Sequence, residues 1–304
     1  MKLKPESKPK PKLTQPVITE LTKKHISEYK ARVKFAGGYL PLRSARQFSS
    51  MGKATSEQLD PSSQRHEYFS ELERKFGLVL SFMSNVSNVK TQFPLLNVQK
   101  TLEVAASLNL MHPRYEPSAP VADHNKGFQA AIMTSDFVFN LVDSTTGEVK
   151  TVACSLKYEK DIVPYDGNDR VVERTKDKLR IEKYYWEKLK GIEYQIISSA
   201  FWMFDKHLVE NLTCARVHRN LEIPPVLKVS ILAHFIKALN YGKQLKLRLV
   251  DVIANLSMET SLPEGRLYAA FWHFVWTKKL RVDLFKPLAG GGYVFEGEDF
   301  AWQL

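Results

Sequence analysis

With 304 residues and 44% hydrophobic content, the chain can bury one large core or two ordinary ones, which excludes a chain disordered throughout. A formal charge of +11 and a pI near 9.4 favour a polyanionic partner, nucleic acid first. No apolar run is long enough to span a membrane, no signal-peptide pattern opens the chain, and Cys154 and Cys214 lack zinc or disulfide spacing, so a reducing cytoplasm is expected.

In chain order, residues 1–12 mix five lysines with three prolines and read as a basic tail, either solvated or ordering on phosphates. A helix is predicted from Pro16 to Val33, then a turn-prone stretch to residue 60. The spacing of Phe69, Leu72, Phe76, Val79 and Leu80 predicts one helix over 66–82. A strand follows over 86–96, a short helix over 101–110 and an irregular loop over 111–127. Strands over 134–142 and 149–158, joined by a turn containing Gly147, make a β-hairpin. Arg170 to Lys190 is a charged amphipathic helix stopped by Gly191, and residues 193–199 form a buried strand. Residues 201–224 read as a bridge ending in Pro224-Pro225, the best domain boundary. Helices over 226–241, 247–258 and 263–278 and two short strands (from Leu280 and from Tyr293) then give the layout of a winged helix. The expected fold class is α/β (α+β): a restriction-endonuclease-like mixed sheet flanked by helices, followed by a winged-helix domain. The expected divisions are a basic, flexible region over 1–35, a catalytic domain over 36–222 and the winged helix over 223–304.

One carboxylate interrupts the first apolar helix face. Glu73 lies four residues after Phe69 and three before Phe76, where an unpaired charge is costly and a metal ion would relieve it. Strand alternation in the hairpin puts Ala153, Ser155 and Lys157 on one face, and sets Asp136 opposite Phe137, Phe139 and Leu141. The hairpin can therefore bring Asp136 beside Lys157. Glu, then Asp, then a strand ending in x-x-Lys is the order of a restriction-type nuclease site. Carboxylates would hold Mg²⁺, and the lysine would offset charge developing on phosphorus. Each residue also has a structural reading. Ser70 and Glu73 fit a capping box, Asp136 fits a strand-edge charge, and Lys157 fits a solvent-facing strand position. The helix over 170–190 offers Arg170, Arg174, Lys176, Lys178, Arg180 and Lys183 to a DNA backbone. Glu173, Asp177, Glu182 and Glu187 dilute it, and a solvated, salt-bridged face is the stronger reading. The histidines, His66, His112, His124 and His218 among them, show no ligand spacing; most are expected at the surface or at caps, with His66 a minor candidate for a phosphate contact. Trp272 and Trp276 read as core or partner surface.

The stretches HEYFSELERKFGLVLSF, VSNVKTQFPLL, Met111-His112-Pro113, MTSDFVF and RTKDKLRIEKYYWEKLKGIEY together resemble TnsA, the endonuclease subunit of heteromeric cut-and-paste transposases. The resemblance covers about residues 36–205 by motif and the rest by layout. It implies catalytic roles for Glu73, Asp136 and Lys157. It also implies a Mg²⁺ site, with Mn²⁺ able to substitute, built from Glu73, Asp136 and the Ser155 position, where the Leu156 carbonyl or extra waters can fill in. The family has Gln or Glu where this chain has Ser155, a shorter side chain and a poorer ligand. The implied function is a metal-dependent endonuclease that cuts at the 5′ ends of a transposon. Its implied partners are transposon-end DNA, a TnsB-like transposase and a TnsC-like AAA+ regulator docked through the C-terminal domain. The alternative is an adaptor that binds DNA, bridges TnsB and TnsC, and does not cut. A free-standing repair or restriction nuclease is a third reading.

Overall fold

The computed structural model describes residues 14–47, 54–58, 65–115, 128–143, 145–165, 167, 169–245, 247–289, 291–294 and 297. The basic tail of residues 1–12 lies outside them. Two compact units divide the chain: Met1–Tyr68, Asn88–Asn140 and Lys150–Ser198 form one, and Phe69–Ser87, Leu141–Val149 and Ser199–Leu304 form the other.

The first unit opens with α1 (Glu20–Ala36), started by Thr19, whose hydroxyl accepts from the Thr22 N–H, and ended at Gly37 with φ 66°. Its Tyr29 packs with Leu42, Val98, Ala130 and Ile132. A two-stranded antiparallel ribbon, β1 (Thr55–Gln58) and β2 (Arg65–Tyr68), pairs Glu57 with His66. The main sheet has the order β3 (Val86–Pro94), β4 (Thr134–Val142), β5 (Val149–Lys157), β6 (Glu193–Ser198). The turn between β4 and β5 closes through Gly147 N–H to Asp143 O, with Gly147 at φ 73° where a Cβ would be strained. Contacts of Asp136 with Leu156 and of Asn140 with Thr151 run in opposite directions along the two strands, which is the expected hairpin. The sheet is mixed, because β5 and β6 run parallel, with Lys157 opposite Ser198.

Helix α3 (Val98–Ser107) and helix α4 (Asp169–Tyr184) flank this sheet. The last turn of α4 widens into a π-turn, Tyr185–Leu189, and Gly191 at φ 63° stops the helix. Ile181, Tyr185 and Trp186 bury against Val138, Ala153 and Tyr194, so the charged helix carries one apolar stripe and lays it on the sheet. Burial of such side chains is worth about 2 kcal/mol each.

The second unit is helical: α2 (Glu71–Phe82), α5 (Lys206–Val217), α6 (Pro225–Leu245), α7 (Leu249–Thr260) and α8 (Glu264–Trp276). Phe271, Trp272 and Phe274 of α8 are fully buried, and Phe235 of α6 packs against Phe271 with the rings tilted by 58°. Trp276 meets Phe82, with centroids 5.6 Å apart. Trp272 is thus a core residue, and Trp276 is half-buried. The stretch 201–224, expected as a bridge, contains α5, capped by Asp205. Among the described residues no strand forms over 280–285. Asn211 of α5 donates to the carbonyls of Leu284 and Lys286 and accepts from the Ala289 N–H, so that backbone is tied to a side chain instead of a strand partner.

Candidate active site

Period-two alternation and the hairpin put Asp136, Ser155 and Lys157 on the α4 side of the sheet. Asp136 Oδ2 accepts from the Leu156 N–H at 2.7 Å and from Lys157 Nζ at 3.3 Å. Lys157 Nζ also donates to the Leu156 carbonyl at 2.7 Å. The lysine is therefore held across the strand end, and Asp136 keeps Oδ1 clear of hydrogen bonds among the described residues. The predicted Asp136–Lys157 juxtaposition is present.

A further carboxylate, read from the sequence as part of a solvated face, enters the same patch. Glu182 of α4 is 7% exposed, and its Oε2 takes three hydroxyl donors: Ser155 at 2.7 Å, Ser135 at 3.0 Å and Tyr194 at 3.1 Å. Trp186 Nε1 donates to Ser135 Oγ at 2.8 Å and fixes that hydroxyl in turn. Burial pushes the Glu182 carboxyl up to about 7. The Lys157 charge pulls it back, the Asp136 charge adds to the rise, and the serine hydroxyls favour the ionised form. The other acids of α4 behave as expected, since Glu173, Asp177 and Glu187 pair with Lys176, Arg180 and Lys183 at its exposed side. Exposed Arg174 and half-buried Lys178 stand two turns and one turn before Glu182, so positive charge leads along one line of the helix to the patch.

Glu73 belongs to the second unit. The helix expected over 66–82 starts only at Glu71: residues 65–68 are strand, and extended Ser70 is the N-cap. Ser70 Oγ accepts from the Glu73 N–H at 3.2 Å and donates to Glu73 Oε1 at 2.9 Å, while Glu73 Oε2 accepts from the Phe69 N–H at 2.9 Å. That is a capping box, with the carboxylate at 7% exposure serving the helix start.

Two histidines differ from expectation. His66 lies in β2 at 6% exposure, where burial drives it down to about 4, so it is a neutral core group and not a phosphate contact. His112 is fully buried, bonded to Thr101 Oγ1 and the Pro113 carbonyl.

Asp136, Glu182, the Leu156 carbonyl and Ser155 are all hard oxygen donors, the set that suits Mg²⁺. Among the described residues no group of three or more His, Cys, Asp or Glu forms a metal cage. A cation held by one or two carboxylates keeps most of its water, the usual state of Mg²⁺ beside phosphates.

A mixed sheet flanked by helices, with Asp and x-x-Lys on neighbouring strands, is a restriction-endonuclease-like arrangement. Residues 83–199 match the family model described as TnsA-like endonuclease N terminal, and over that segment the chain is TnsA-like. The match contains Asp136, Ser155, Leu156, Lys157 and Glu182 and begins after Glu73. No curated protein matches the chain. No helix among the described residues is long and apolar enough to cross a membrane.

Proposed function

We infer that the chain is the endonuclease subunit of a heteromeric transposase, nicking DNA at the 5′ ends of the element beside a TnsB-like partner. The observation that carries this is Asp136 bonded to Lys157 and to the Leu156 N–H, inside the segment matching TnsA-like endonucleases. Asp136 would hold the divalent cation through Oδ1, with Glu73 and the Ser155 position as the further ligands that the TnsA resemblance implies and the Leu156 carbonyl or waters filling in. A bound Mg²⁺ or Mn²⁺ would polarise the scissile phosphoryl group and acidify the attacking water. Lys157, positioned by Asp136 and the Leu156 carbonyl, faces the charge that develops on phosphorus and orients that water. Exposed Arg174 and half-buried Lys178, together with the basic tail, supply contacts to the DNA backbone. The aromatic-rich helices α6–α8, read as a winged helix, serve docking to a TnsC-like regulator and not base reading, in a cytoplasmic setting.

Ser155 favours one other reading. Its hydroxyl is shorter than the family's Gln or Glu and is spent on Glu182, as expected of an adaptor that bridges TnsB-like and TnsC-like partners without cutting.

The test mixes the protein, its TnsB-like and TnsC-like partners, Mg²⁺ or Mn²⁺ and end-labelled transposon-end DNA, and maps the nicks. Nicks at the 5′ ends, lost in Asp136→Ala and reduced ~100-fold or more in Lys157→Ala, are expected. Assembly without any 5′ nick leaves the adaptor, and cutting without the TnsB-like partner leaves a free-standing nuclease.

A further inference from the structure

At about 100° per residue, Arg180 lies about 200° round helix α4 from both Lys178 and Glu182, on the side turned away from the Asp136–Lys157 patch. Lys183, Tyr184, Glu187 and Lys188 follow Arg180 at spacings of three, four, seven and eight and share that side. There a hollow of about 400 Å³ opens between the end of α4 and the segment that follows α3, and most of its lining is apolar, with Leu108, Leu110 and Tyr184 prominent. Two local irregularities shape it. The π-turn Tyr185–Leu189 puts an extra residue into the turn that carries Glu187 and Lys188. Asn109 at φ 54° ends α3 and bends the chain so that Leu108 and Leu110 both line the hollow. Leu110 is pinned from two sides: its N–H donates to the Ala105 carbonyl at 2.8 Å, and Gln15 Nε2 donates to its own carbonyl at 2.6 Å. The hollow is therefore preformed, as ligand sites usually are.

Its polar lining is mainly cationic. Arg180, Lys183 and Lys188 contribute positive charge against the one carboxylate of Glu187. The pairs these cations make are long and exposed, Arg180 with Asp177 at 3.8 Å and Lys183 with Glu187 at 3.7 Å, and exposed pairs of that kind hold their partners weakly. Lys188 makes no ion pair among the described residues. Cations near the end of a helix answer its dipole, which accounts for the lysines but not for the apolar hollow beneath them, where Leu108 stays 37% exposed. A DNA backbone would use the charges and leave the apolar lining without a partner.

We propose that this hollow docks an acidic, apolar segment of a partner protein. One or two large apolar side chains of that segment enter against Leu108, Leu110 and Tyr184, and its Asp or Glu residues pair with Arg180, Lys183 and Lys188. Both halves of the lining are then satisfied by one occupant: burial of the apolar anchors supplies affinity, and the flanking charges fix the register and speed the encounter. A volume of about 400 Å³ accepts side chains and not a folded domain, so the partner presents a short segment. The surface belongs to the sheet-bearing unit and is separate from helices α6–α8, to which docking of a regulator was assigned above. It does not depend on whether the chain cuts DNA.

A phage-displayed library of random dodecapeptides tests the assignment. It is depleted on the Lys183→Gln/Lys188→Gln variant and then panned on the intact wild-type chain. The expected survivors carry two or more acids beside Leu, Phe or Trp. A fluorescein-labelled copy of the most enriched peptide, followed by polarisation, should bind ~10-fold or more weakly to Lys183→Gln/Lys188→Gln and to Leu108→Ser. Each variant changes exposed side chains, so melting temperatures should match that of the wild type. A labelled duplex of about 20 base pairs runs in parallel, and Leu108→Ser should bind it as the wild type does. The assignment is overturned if no peptide is enriched, if the enriched peptides lack acids, or if the selected peptide binds Leu108→Ser with wild-type affinity. It is overturned equally if Leu108→Ser weakens duplex binding as much as peptide binding, which would make the hollow part of a nucleic-acid surface.

Discussion

Glu73 and Glu182 are equally buried, at 7% exposure each, yet the fold uses them differently. Glu73 sits in the first turn of α2 and spends both oxygens on the chain around it, one on the Ser70 hydroxyl and one on the Phe69 N–H. Glu182 sits in the last turns of α4 and gathers three hydroxyls on one oxygen. The first is explained by the helix it starts, where a carboxylate also meets the positive end of the helix dipole. The second is explained by nothing local, because it lies near the negative end of its helix and stands beside another acid. Burial alone therefore does not mark a functional carboxylate.

The largest expected effect divides the two roles of Glu73. The resemblance to TnsA makes it a metal ligand, and the capping box makes it structural. Ser70→Ala removes the cap hydroxyl and keeps the carboxylate; Glu73→Ala removes both functions of the side chain. If Glu73 is a ligand, 5′ nicking by Glu73→Ala falls ~100-fold or more below that of Ser70→Ala, measured in the same assembled complex. Equal nicking by the two variants confines Glu73 to the helix start.

Some of this was legible in the chain and some was not, for identifiable reasons. Asp136 and Lys157 could be paired in advance because strand alternation is a rigid two-residue rule and Gly147 marks the turn that sets the register. The start of α2 was misplaced because Tyr68 and Phe69 extend the apolar spacing backwards. The deciding feature is the reciprocal bond between Ser70 and Glu73, which ends the β2 strand just upstream. Helix α5 was missed although Leu208, Leu212 and Ala215 have helical spacing behind the Asp205 cap; aromatic residues at 201–204 obscured its start. Glu182 was counted with the solvated acids of α4. Yet Leu179 lies three residues before it and Trp186 four after, the same clue of a charge on an apolar face that singled out Glu73. Only tertiary contacts could add Ser135 and Tyr194, from strands 47 and 12 residues away along the chain.

The next effect is on stability and sharpens the contrast through pH. With its folded-state carboxyl near 7 against an ordinary 4.5, Glu182 keeps a proton in the folded chain that the unfolded chain releases. Its contribution is therefore most favourable below pH 4.5 and declines as pH rises towards 7, by about 3 kcal/mol in all. In metal-free protein, Glu182→Gln escapes this decline. Its urea midpoint should exceed that of wild type by a margin that grows from pH 5 to pH 8; a margin independent of pH would mean that burial does not strain this carboxylate. His66 works in the opposite direction. Its folded-state value near 4 lies below the ordinary 6.5, so the stability it lends is lost as pH falls from 6.5 towards 4. His66→Gln should flatten that acid limb and leave the alkaline one unchanged.

Smaller still is the effect of thinning the hydroxyl shell. Tyr194→Phe keeps the ring that packs with Val138 and Ala153 and removes the hydroxyl that donates to Glu182 Oε2 at 3.1 Å and also meets Ser155. A hydrogen bond to an ionised carboxylate is worth about 1.5–3 kcal/mol, but two serine hydroxyls remain on the same oxygen, so a loss of about 1 kcal/mol at pH 8 is expected. At pH 5 Glu182 is protonated, the bond joins two neutral groups, and the loss should shrink. Denaturant midpoints at the two pH values measure the difference.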